Sequence, residues 1–290
     1  MNKLRLGLVS LFLSSVLNMF FACKERISEI STANPKESQS NEILSLQQDL
    51  KDENEVEVPY GIQALKHAYP NFIKEIKDNI IIFHDGCKMV YDDSIKKDFI
   101  TMLDKSDPED MFYCRYDSKN LPPEYLSDPG RSRSEALFKK MYGTTSNEVQ
   151  KNLVKVSWFG KTISFTSVNG ASEQLVKVAT EIAKYPELTN LMDCAGTFYW
   201  RPVRGAKRLS AHSYGIAIDI ALKNSDYWLW KNPNATETSK IKYNNRIPRL
   251  IVEIFERHGF IWGGAWYHYD TMHFEYRPEI IAYSQLLDSN

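Results

Sequence analysis

Apolar and polar positions alternate most cleanly over residues 216–221. Ile216, Ile218 and Ile220 fall on one side of a period-two pattern, and Ala217, Asp219 and Ala221 on the other. That pattern predicts a strand with its isoleucines in a core and Asp219 on a small-residue face. His212 is expected on the loop before it, and Gly215 permits a tight backbone turn between the two. A second strand is predicted around His273 and Glu275, which share a face because they are two apart, with Asp270 at its start.

The rest of the pattern fills in an α+β domain with helices packed on one side of a small antiparallel sheet. Residues 80–84 and 87–91, separated by Asp85-Gly86, predict a hairpin, and residues 154–158 and 161–166 around Phe159-Gly160 predict another. Helices are predicted over 94–103 and over 134–142, the latter ended by Gly143. Another is predicted over 172–184, with Ser172 as its cap and Leu175, Val176, Ala179, Ile182 and Ala183 as its buried stripe. A further helix over 247–258 has Pro248 in its first turn and Gly259 after its end. Residues 196–201 predict a strand running into a loop. Prolines and charges make 107–130 irregular, and Arg131 and Arg133 just beyond read as solvated loop arginines, the alternative being that they face an anionic substrate. Residues 227–245 are aromatic, charged and irregular, and predict an insertion loop beside the site.

Composition adds a compartment and removes one class of partner. Residues 1–23 carry Lys3 and Arg5, then a mostly apolar run ending Phe20-Phe21-Ala22-Cys23, the layout of a secretory signal. The Ala-Cys end resembles a bacterial lipoprotein cleavage site, which implies lipidation at Cys23 and an extracytoplasmic, membrane-anchored protein. Residues 24–58 are polar and poor in aromatics and predict a flexible tether, with a short helix near 41–50. The globular region is divided into an N-terminal part, 59–189, and a part carrying the site motifs, 190–290. A net charge of -1 gives no basic footprint for nucleic acid. Beyond Cys23 the cysteines are Cys87, Cys114 and Cys194; none has metal-binding spacing, and in an oxidising compartment Cys87 with Cys114 is the preferred pair. A monomer is expected.

Two histidines and an aspartate, His212, His273 and Asp219, make a three-ligand set for a catalytic zinc that leaves a position for water. Asp270 is then a spare carboxylate able to take a proton as the water attacks. The same residues would also suit two ordinary strands with a surface Asp and two structurally satisfied histidines. His268 is a competing ligand, Glu275 is a carboxylate that either orients a ligand imidazole or rivals Asp270 as base, and Ser210 reads as a hydrogen-bonding support.

Ser-x-His-x-x-Gly-x-Ala-x-Asp at 210–219, followed by Asp-x-x-His-Phe-Glu at 270–275, resembles the D-alanyl-D-alanine carboxypeptidase family of zinc peptidases, which includes VanY-like carboxypeptidases and phage L-alanyl-D-glutamate endopeptidases. The resemblance spans roughly residues 190–280. It implies a Hedgehog/DD-peptidase fold, His212, Asp219 and His273 as zinc ligands, and Asp270 as base. It gives His268 no metal role. It also implies an arginine facing the metal, best matched by Arg201, with Arg204 second; the alternative for Arg201 is a surface-paired strand-end residue. Many members carry Glu-x-x-Trp-His where this chain has Asp270 and Met272, as in the endopeptidase-like branch. The implied activity is hydrolysis of amide bonds in peptidoglycan stem peptides, either as a D,D-carboxypeptidase or as an L-Ala-D-Glu endopeptidase. A non-catalytic cell-wall peptide binder is the alternative, though a pure binder has no need of the spare acid.

Overall fold

The structure, a computed structural model, describes residues 58–289. The predicted signal segment, Cys23, the tether and the helix near 41–50 lie outside the described residues. In chain order the main elements are α1 (Tyr60–Ala68), β1 (Ile73–Lys77), β2 (Ile80–Phe83), β3 (Lys88–Val90), α2 (Phe99–Asp104), α3 (Glu135–Tyr142), α4 (Ser146–Lys151), β4 (Leu153–Trp158), β5 (Lys161–Thr166), α5 (Ala171–Ile182), β6 (Cys194–Gly196), β7 (Ala217–Ile220), α6 (Trp228–Lys231), α7 (Arg249–Arg257), β8 (Phe260–Trp262), β9 (His273–Tyr276) and α8 (Pro278–Asp288). The class is α+β as expected. Its strands, however, form three separate antiparallel sheets, ordered β1-β2-β3, β4-β5 and β6-β7-β9-β8.

The four-stranded sheet positions the site. β7 and β9 are its two inner strands, and both bury apolar side chains completely on one face: Ile218 and Ile220 from β7, Phe274 from β9. Phe255 of α7 stacks on Phe274 with ring centroids 4.0 Å apart, and Trp262 of β8 pairs with Phe274 across the sheet. Removing each such side chain from water is worth about 1.5–3 kcal/mol, so this layer holds the register of β7 against β9.

Local chemistry explains where the helices begin and end. Ser134 Oγ accepts from Leu137 N at the start of α3, and Gly143 ends it with φ 128°. For α5 the expectation is corrected. The helix starts at Ala171, behind a left-handed Gly170, so Ser172 lies within it and is buried. Its buried stripe is therefore Ala171, Leu175, Val178 and Ile182, at helical spacing from the true start, while Val176 is 46% exposed. The helix expected over 94–103 is shorter because Ser94 has φ 58° and Asp98 caps the later start by accepting from Thr101 N. The strand expected over 196–201 ends at Gly196, so Arg201 lies in the loop beyond it. Cys87, Cys114 and Cys194 are all free thiols, which overturns the Cys87–Cys114 pairing: Cys87 is exposed on the β2–β3 hairpin and Cys114 sits half-buried elsewhere. No described helix is long and apolar enough to cross a membrane.

Gly215 is the hinge between the His212 turn and β7. It holds φ 68°, and a Cβ there would lie 2.5 Å from Leu153 Cδ2. Its carbonyl accepts from Thr166 N at 3.0 Å, tying the turn to β5. Gly215→Ala should therefore cost about 1–3 kcal/mol, through left-handed strain and the clash together, as read by urea unfolding. An unchanged unfolding midpoint would show that the turn relaxes freely.

Candidate metal centre

The antiparallel register sets Asp219 of β7 directly opposite His273 of β9. His212 arrives from a short 3-10 turn, Ala211–Tyr214, that ends at Gly215. The candidate ligand atoms of the three side chains lie within 4.8 Å of one another. Asp219 Oδ1 is 3.2 Å from His212 Nε2 and 2.9 Å from His273 Nδ1.

Hydrogen bonds on the far side of each ring assign the tautomers. The Thr197 carbonyl lies 2.5 Å from His212 Nδ1, so that nitrogen donates and Nε2 keeps its lone pair. Glu275 Oε1 lies 3.0 Å from His273 Nε2, so that nitrogen donates, and once Nδ1 gives up its proton it presents a lone pair on the side of Asp219. Two lone pairs and a carboxylate oxygen thus converge on one spot. Acceptors arranged this way repel one another unless a cation lies among them, and two imidazoles with one carboxylate suit zinc. The local field agrees. Burial works against a proton on His273, yet Asp219 and Glu275 bring its pKa up to about 10; the same field favours a metal cation. Asp219 is opposed by burial but held well below the usual carboxylate range by the two histidines.

Glu275 is a support. It is buried, its Oε1 faces both His273 and Arg133, and its Oε2 accepts from Arg277 Nη1 at 3.2 Å. Burial raises its pKa, but Arg133, His273 and Arg277 outweigh that and bring it down to about 2. With both oxygens engaged and ionised, it is placed to orient His273 and poorly placed to move a proton. Asp270 is the contrast. Its Oδ1 is buried with no hydrogen-bond partner, and burial together with the nearby Asp219 charge pushes its pKa up to about 7. A carboxyl of that kind suits proton transfer near neutral pH.

All of these line one cleft of about 410 Å³, within the size range of small-ligand sites. The expected insertion loop does form a wall, supplied by Tyr227, Trp228 and Trp230. Trp262 is core, and Trp266 lines the cleft. Arg201 and Arg204 also line it; Arg201 lies near the Tyr199 ring, and neither meets an acidic side chain among the described residues. Ser210 is buried at the cleft and bonds through its backbone, to Arg201 O and from Ser213 N. Ser213, unremarked in the sequence, has the working hydroxyl: its Oγ accepts from Arg201 N at 2.9 Å and donates to Arg201 O at 2.8 Å.

Two expectations about charged loops change. Arg133 is a buried wall of the cleft and Arg131 a largely buried one. Arg131 bridges Asp128 and Glu237, and His268 Nδ1 sits 2.6 Å from Asp128 Oδ2. His268 therefore belongs to a second charged group, whose acids are occupied by a guanidinium, and not to the His212–Asp219–His273 set. The local sequence offers Arg131 only Asp128, and the other acids that hold the two arginines, Glu237 and Glu275, are more than a hundred residues away.

A family model described as D-alanyl-D-alanine carboxypeptidase matches residues 204–276, the span that holds His212, Asp219, Asp270 and His273. The similarity over that span supports a peptidase. No curated protein and no solved structure matches the chain.

The raised Asp270 carboxyl has a consequence for stability. A group whose pKa is higher folded than unfolded contributes stability that is full below the unfolded value, near 4, and is lost as pH rises through about 7. In metal-free protein, Asp270→Asn should thus gain stability over the native chain as pH increases from 4 to 8, by at most about 4 kcal/mol. Urea unfolding of both proteins across that range would test this; a pH-independent difference would contradict the raised carboxyl.

Proposed function

We propose that this protein is a zinc-dependent peptidase that hydrolyses amide bonds in peptidoglycan stem peptides, as a D,D-carboxypeptidase or an L-Ala-D-Glu endopeptidase. In this reading it has a DD-peptidase-type fold and acts as a monomer outside the cytoplasm. The chain is anchored to a membrane by a lipid on Cys23, and the segment over 24–58 lets it reach the wall. The observation that carries the proposal is the convergence of His212 Nε2, His273 Nδ1 and Asp219 Oδ1 beside a carboxyl that is spare.

His212, Asp219 and His273 would hold the metal. Zinc held there would polarise a carbonyl and lower the pKa of water toward about 7. Asp270, whose buried Oδ1 has no other partner among the described residues, takes the proton of the attacking water and returns it to the leaving amine. Glu275, fixed by Arg133 and Arg277, keeps His273 in the tautomer that presents Nδ1. Arg201, at the cleft wall, holds an anionic group of the substrate or the developing oxyanion. The aromatic wall of Tyr227, Trp228 and Trp230 limits water around the reacting bond.

His212→Ala and His273→Ala should each abolish stoichiometric zinc, read by metal analysis of the purified protein. Asp270→Asn should retain zinc and lose about 100-fold or more in turnover of purified muropeptides, with products weighed by mass spectrometry. Full activity of zinc-loaded Asp270→Asn would remove the base assignment. Capture of muropeptides by the native protein without cleavage would favour a binder.

A further inference from the structure

One aromatic side chain on the cleft wall is held out of the core. Trp230 lines the cleft and is 53% exposed, whereas Trp228, two residues earlier, is buried with its ring 4.7 Å from that of His268. Single exposed apolar side chains are ordinary on a protein surface, so exposure alone carries nothing. Here the exposed indole stands on a fixed support. Asp226 N donates to Thr271 Oγ1 at 2.7 Å, and Thr271 N donates to Asp226 O at 2.9 Å. Trp228 N donates to Tyr269 O at 3.0 Å, and Trp230 N closes a turn by donating to Tyr227 O at 2.9 Å. Residues 226–230 are thus tied to 269–271, the segment that carries Asp270. The ring that Trp230 meets among the described residues is Tyr227, 6.2 Å away and steeply inclined at 75°. An edge-on neighbour leaves a face of the indole open.

The support also sets how far that face is from the chemistry. Tyr227 pairs with Asp270 through an isolated antiparallel bridge. Bridged Cα atoms lie about 4.5–5.5 Å apart and the ends of a turn within about 7 Å, so Trp230 stands within about 12 Å of Asp270, backbone to backbone. An open indole face is covered best by another flat apolar face. Stem-peptide residues near either candidate bond offer little of that kind: Ala presents a methyl, and D-Glu a carboxylate. The pyranose that carries the stem does offer it. Its C–H bonds make an apolar face, while its hydroxyl and acetamido groups lie at the edge and stay in water.

We infer that Trp230 is a stacking platform for the N-acetylmuramoyl ring to which the stem peptide is attached. This rests on the peptidase reading above and narrows it. The L-Ala-D-Glu bond is separated from the sugar by one residue, about 3.5 Å of chain, and the D-Ala-D-Ala bond by four, about 13 Å. A cleft of about 410 Å³ takes in the nearer sugar and leaves the farther one outside. Trp230 therefore selects the bond next to the sugar.

The probes are N-acetylmuramoyl-L-alanine and N-lactoyl-L-alanine, which differ by the sugar and contain neither candidate bond. Titrated calorimetrically into zinc-loaded protein, the sugar-bearing probe should bind about tenfold more tightly. Trp230→Ala, a change at an exposed side chain that the fold should tolerate, should bring that ratio close to one. Trp230→Phe, with a smaller face, should keep part of it and serves where the Ala variant does not fold. A Trp230 that only packs on Tyr227 would lower the melting temperature of its variants and leave the ratio as it was. Equal binding of the two probes by native protein, or an unchanged ratio in folded Trp230→Ala, would overturn the platform. Release of free D-Ala from a disaccharide pentapeptide would overturn the placement of the sugar beside the reacting bond, whatever the ratio. Sugar-dependent binding without muropeptide cleavage would support the platform while removing the peptidase reading. Cleavage beside the sugar with no sugar preference would leave that reading standing and overturn the platform.

Discussion

The pairing of β7 with β9 is the constraint on which the site depends. Strand side chains alternate, so a slip of one residue would send Asp219 into the core and Ile218 into the cleft. The buried isoleucines and Phe274 make that slip costly, and Gly215 turns the chain sharply enough for His212 to reach the same spot. Three ligand-type side chains separated in sequence thus meet because an apolar face fixes the register of a polar one.

Behind the polar face lies a buried ladder of charge. Glu275 faces His273 and Arg133, accepts from Arg277, and Arg277 donates onward to Glu279 at 2.5 Å, which in turn accepts from Tyr69 of the N-terminal part. Charges taken out of water are costly unless each finds a partner, so such a ladder specifies orientation more than it adds stability. It ties the chemistry on β9 to residues before 190, and gives that region a physical role: Arg131 and Arg133 build one wall of the cleft, and Asp128 holds Arg131 and His268 in place.

Much of the site was legible because it is written in local periodicity. The period-two runs place Asp219 away from the isoleucines and put His273 and Glu275 on one face, and both placements are met in the structure. What was not legible depends on distant partners. Arg131 and Arg133 sit in a Pro-Gly-rich stretch that looks solvated, and the distant Glu237 and Glu275 are needed to explain how far they are buried. The α5 stripe was displaced because its start is set by the left-handed Gly170 and not by a side-chain cap at Ser172. The short β6 follows from pairing with β7, which a three-residue segment does not announce by its own pattern.

The central claim is that His212, His273 and Asp219 share one zinc ion. Zinc K-edge absorption of the loaded protein tests it most directly. The account predicts one ion per chain, with two imidazoles and oxygen neighbours at about 2.0–2.2 Å and no sulfur. A shell with sulfur at about 2.3 Å, or a single imidazole, would contradict it.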